Sequence, residues 1–203
     1  MNSSISPSVQ SPIFLNDDLG IMKKSDAIDS LKQILKNRPA LQFNDNIDFT
    51  IEQQWIDSLN KLHTRFNQTI HQLKVYGTNM LLHADVSPNN IQVSDPVANI
   101  YALNGTLAVD SYPSVTQKIL KHNDAGADAT KAAQKIGQST SKPELAFIFL
   151  ESGQTKICWR IEVSWDNGAG DFGRDDIFFD TQTAEILTRH PKIQTSGGFI
   201  PNH

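Results

Sequence analysis

Two hydrophobic periods alternate along this chain, and their order predicts its organisation. Around residues 25–37 apolar side chains recur at spacings of three and four: Ala27, Ile28, Leu31, Ile34 and Leu35 share one stripe of a helix. Ser25 stands where an N-cap belongs, and Pro39 stops the helix because it lacks an amide proton and restricts the residue before it. From Phe49 to about Val109 the period drops to two. Segments 49–56, 63–70, 79–84 and 99–109 alternate apolar and polar residues between Asn, Gly and Asp. They predict three or four antiparallel strands with one face covered by the helix. Between them, residues 86–97 hold Pro88 and Pro96 and read as a long hairpin loop.

The pattern then repeats in kind. After a break at Asp110–Pro113, helical spacing returns over 115–121 and 127–136, where Ala129, Ala132, Ala133 and Ile136 share a face. Gly137 sits at the expected C-terminal cap. Strand-like runs follow at 144–151, 155–164 and 176–180, with a short one at 185–189. Helix followed by antiparallel strands therefore occurs twice. The expectation is an α+β fold of two lobes, 21–110 and 111–189, each a helix packed on an antiparallel sheet. Residues 1–20 read as a mobile lead-in, and 190–203, which lack periodicity, as a flexible C-terminal tail.

Composition narrows the function classes. The chain has 203 residues, 38 % of them hydrophobic, with ten Phe and three Trp, enough for a real core. Its 18 Lys+Arg against 22 Asp+Glu leave a net charge of −4 and no basic footprint for nucleic acid or an anionic membrane. No apolar run approaches the roughly 20 residues that span a bilayer. Residues 1–20 have neither the basic nor the apolar part of a signal peptide. The single cysteine, Cys158, excludes an internal disulfide and a Cys-based zinc finger.

Catalytic patterns are missing. His63, His71, His83, His122, His190 and His203 include no H-x-x-x-H pair and no HExxH. Cys158 lies inside an alternating run beside Trp159 and reads as a small core residue. The acidic stretch 166–176 lacks the spacing of a calcium loop and reads as a solvated hairpin loop. Such a two-lobed chain most often binds or shapes another protein.

Specific segments carry this further. His63, Arg65, Phe66, Gln68 and Thr69 are followed by Val75, Tyr76 and Gly77, then Leu81, Leu82, His83 and Asp85, then Asn104 and Gly105. This series resembles the N-terminal propeptide domain of fungalysin and thermolysin precursors. Residues 142–149, 158–163 with Trp159 and Arg160, and 177–187 resemble the PepSY domain that follows it in the same precursors. Together the two resemblances cover about 49–187. The sequence departs from the pattern at the enlarged 86–97 loop and at Ala184, where the pattern has Gly. A zinc protease domain with its HExxH helix is not present.

The resemblance implies a propeptide that acts as intramolecular chaperone and inhibitor of a secreted thermolysin-like zinc metalloendopeptidase. It implies no enzyme activity in the chain itself, a secreted or periplasmic location, and zinc and calcium in the partner catalytic domain. The tail, Phe199, Ile200, Pro201, Asn202 and His203, is then expected in the partner's cleft, with His203 beside its zinc as a cleavage product would be. His63, Arg65, Gln68, Tyr76, Trp159 and Arg160 either hold their own lobes or face the partner. Two rivals are a stand-alone inhibitor acting in trans and a cystatin-like inhibitor. The second would need Q-x-V-x-G, and Gln72–Gly77 has one residue too many, which turns the side chains to the wrong faces.

Overall fold

Strand β3 (Lys61–Ile70) organises the first half of the chain, and its side chains alternate half-buried and buried without a break. Leu62, Phe66 and Ile70 on its inward face are at most 2 % exposed. Beside it lie β2 (Ile47–Ile56) on one edge, and β5 (Met80–Val86) and the short β4 (Leu73–Tyr76) on the other. Strand β6 (Val97–Gly105) pairs with β5, and β1 (Ile13–Lys23) pairs with β6, all antiparallel. The computed structural model describes residues 12–90, 92–110 and 126–195. They belong to two compact units, Met1–Ser111 with Glu151–Thr155 and Tyr112–Leu150 with Lys156–His203.

Helix α1 (Ala27–Lys36) buries Ala27, Leu31, Ile34 and Leu35, four members of the stripe read from the sequence. Burial of each such Leu or Ile is worth about 1.5–3 kcal/mol. Ser25 does not cap it. Its amide and hydroxyl both donate to Asp95, at 2.8 and 2.9 Å, and the amide of Lys24 donates to the carbonyl of Pro96. The long 86–97 segment thus ties back to the start of the helix.

In the second unit, β8 (Glu144–Phe149), β9 (Thr155–Asp166), β10 (Phe172–Asp180) and β11 (Ile186–Thr195) are neighbours in that order, and β7 (Gln138–Ser139) pairs with β9. Helix α2 (Ala127–Gln134) sets Ala129 and Ala133 against Ile161, Val163, Ile177 and Phe179. Small residues let it lie close. Gly137 serves the same approach rather than a left-handed cap, since a Cβ there would stand 2.2 Å from the carbonyl oxygen of Ser164.

The expected α+β fold of two helix-on-sheet lobes is not what forms. Among the described residues 53 % are strand and 16 % helical, with two α-helices, so the chain is mostly β. The helices are short, ten and eight residues, and α2 buries only two alanines. Strands also extend where the period is broken. In β1, part of the segment read as a lead-in, the register shifts between Asn16 and Gly20, which erases alternation. In β11 the register slips by one beside Arg174 and Asp175, and that irregularity accommodates Pro191, the sixth residue of the strand. The helix expected over 115–121, and the tail beyond Thr195 with Phe199 to His203, lie outside the described residues.

Candidate functional site

Three motif residues of the first unit, His63, His83 and Asn104, meet on the outward face of β3, β5 and β6. Antiparallel pairing sets His63 directly opposite His83 and Trp55 opposite His63. The two imidazoles meet Nδ1 to Nδ1 at 2.9 Å, with ring planes at 90°. Nε2 of His63 contacts Oδ2 of Asp57 at 3.0 Å, and Nε2 of His83 contacts Oδ1 of Asn104 at 2.9 Å. Trp55 stacks on His63 at 5.0 Å between centroids. A four-member chain of polar groups therefore crosses three strands and the β2–β3 turn.

Asp57 has a double role. Its Oδ1 accepts from the amides of Leu59 and Lys61, at 2.8 and 2.9 Å, and so builds the turn, while Oδ2 holds His63. The His63 hydrogen bond, helped by the Lys61 amide, keeps its carboxyl below the usual carboxylate range. Lys61, beside it, is bonded to Asp85 and its amine is held above its ordinary value by that bond.

Other motif residues, and His71, have different partners. Gln68 points inward, is 1 % exposed, and clamps both backbone groups of Ala108. Its Nε2 donates to the carbonyl at 2.5 Å and its Oε1 accepts from the amide at 3.0 Å. Arg65 lies over the Trp55 ring at 5.8 Å, and the Tyr76 ring carries Lys74 at 4.6 Å. His71, in the β3–β4 turn, pairs with Asp110 at 2.5 Å, both side chains at most 10 % exposed.

In the second unit Trp159 packs against the cluster under α2. Arg160 reaches two acids, Glu144 at 2.9 Å and Asp176 at 2.5 Å. Lys192 bridges Glu162 at 2.5 Å and Asp176 at 3.5 Å. The Lys192 bond, with one from Thr140, holds the Glu162 carboxyl below its usual range. Asp175 faces the other way and takes Arg189 and the indole N–H of Trp165, at 3.0 Å from Trp165. Its other oxygen, Oδ1, is buried with no partner among the described residues.

Sequence reasoning missed this ladder. It assigned Asp175 to a solvated loop and put Asp176 where that loop overlaps the strand-like run 176–180, yet both lie inside β10 and are at most 7 % exposed. The polar residues at the start of the loop do turn chemistry: Asp166 accepts from the amide of Gly168, and Asn167 from those of Ala169 and Asp171. The available signal was the pair of basic residues at Arg189 and Lys192 in the following strand, whose sign matches the acids.

Cys158 is fully buried beside the carbonyl of Ala146, and burial pushes its thiol far up, so it is not a nucleophile. Among the described residues no three His, Cys, Asp or Glu side chains gather to hold a metal ion, and no helix is long and apolar enough to cross a membrane. Compared with models of known protein families and with curated proteins, the chain matches none.

Proposed function

We propose that this chain is a propeptide of a thermolysin-like zinc metalloendopeptidase, acting as its folding chaperone and inhibitor. The observation that carries the reading is convergence. His63, His83 and Asn104, drawn from three separate stretches of the resemblance, form one bonded chain, and Gln68 from the same series clamps Ala108. In the second unit Trp159 and Arg160 likewise serve as core packing and as the hub of an ion pair. Motif residues that hold their own unit together suit a domain whose work is done by its folded surface.

Physically, a folded β surface that binds the native catalytic domain and not its unfolded chain stabilises that domain by mass action, and in the same contact blocks substrate. Zinc and calcium belong to the partner in this reading. The experiment is titration of the purified chain into a thermolysin-like protease, following peptide hydrolysis and refolding yield. Stoichiometric inhibition together with improved refolding is the expected result. Absence of both with a cognate protease overturns the reading. A version lacking residues 196–203 separates the tail's share from that of the two units, and the variant His203→Ala tests the expected zinc contact.

A further inference from the structure

We propose that His63 and His83 form an acid-sensitive latch: one proton bridges their facing Nδ1 atoms, and uptake of a second opens the outward face of β3, β5 and β6. Proton counting leads there. The Asp57 carboxylate can only accept, so Nε2 of His63 carries a hydrogen. Oδ1 of Asn104 also accepts, so Nε2 of His83 carries one too. With both Nε2 positions filled, two neutral rings would oppose bare lone pairs at 2.9 Å. One added proton converts that clash into a hydrogen bond. If the Asn104 amide is turned, its NH2 donates to His83, His83 donates to His63, and His63 donates to Asp57; the pair is then neutral. Both arrangements put a single proton between the rings.

Neither arrangement admits a second. Two N–H groups would point at each other across 2.9 Å, and two positive rings would stand 5.0 Å apart. The surroundings do not compensate. Among the described residues Asp57 is the one acid bonded to the pair, and its other oxygen is committed to the turn. From β3 itself Lys61 is already neutralised by Asp85 of β5, and Arg65 adds positive charge over Trp55 of β2. From β6 come Tyr101, its phenol held neutral by burial, and the uncharged Asn99 and Asn104. On β1, Phe14, Asn16 and Ile21 pair with Asn104, Ala102 and Asn99, while Asp17 and Asp18 lie in the bulge between Asn16 and Gly20 and accept from the backbone amides of Asp18 and Gly20. The pair also sits where the β5–β6 register shifts, between His83 and Ala84, so the ladder is already irregular at the point where the latch pulls.

The inference goes beyond the propeptide reading and stands independently of protease inhibition. Its test is a pH titration of the whole chain from about 8.5 to 4.5, following the imidazole nitrogens and the Trp55 indole by NMR. His63 and His83 are expected to protonate in two steps, at least about tenfold apart in proton concentration, with Trp55 moving only on the second. His83→Gln should leave one step and a Trp55 signal that stays put in acid. Overturning results are simultaneous, independent protonation of the two rings, or a Trp55 environment unchanged through the second step. The wild-type titration decides the matter by itself if the variant fails to fold.

Discussion

At the scale of single residues, the most informative positions are those where the side chain contradicts its backbone or its surroundings. Ala184 has φ of 55° in the β10–β11 turn, a left-handed conformation that costs an alanine about 1–2 kcal/mol. The turn is otherwise well made: the Asp180 side chain accepts from the amides of Gln182 and Thr183, at 2.8 and 3.1 Å. Ala184→Gly should therefore stabilise the protein by roughly 0.5–1 kcal/mol, after the extra freedom of glycine in the unfolded chain is subtracted. Urea denaturation with an unchanged slope and a higher midpoint would show it. Gln68 is the opposite case, a buried amide satisfied at both ends. Gln68→Met keeps the shape but strands two backbone groups of the fully buried Ala108, a loss on the order of 2–4 kcal/mol in the same assay.

Elements pack through a few close approaches, and these set the next predictions. Helix α2 ends in a segment that runs against β9 at Gly137, where any Cβ meets backbone rather than a movable side chain. Gly137→Ala should cost about 2 kcal/mol and broaden the signals of Ile161 and Val163 under the helix. Cys158, in the middle of β9, reports on the same packing. The thiol should be silent to an aromatic disulfide reagent in the native protein and react with one equivalent in denaturant. Between β9 and β11, Lys192 depresses the carboxyl of Glu162. Lys192→Ala should return that carboxyl toward the ordinary range, visible in a carboxylate NMR titration.

For the molecule as a whole, Asp48, Asp57, Asp95 and Glu162 all have carboxyls held below the usual range, chiefly by hydrogen bonds from Lys32, His63, Ser25 and Lys192 in turn. A depressed folded-state value means that the stabilisation is present above the ordinary range and disappears as pH falls through the lowered one. Urea midpoints should thus decline most steeply below about pH 4. The stripe Ala27–Leu35 and the alternation of 49–56, 63–70 and 79–84 were legible because helix and strand periods are local properties of the chain, and α1, β2, β3 and β5 lie there. Strand β1, the long β11 and the predominance of β structure were not, because bulges break the period and a bulge is decided by the partner strand. The same holds for the site. The sequence singled out His63 and His83 but placed them 20 residues apart with no stated relation, and it passed over Asp57, whose signal was only a turn ending in Asn60. The sequence alone determined which short stretches turn apolar faces inward. Tertiary structure decided register, and register, by setting β3 against β5, brought two imidazoles to 2.9 Å and gave them a carboxylate.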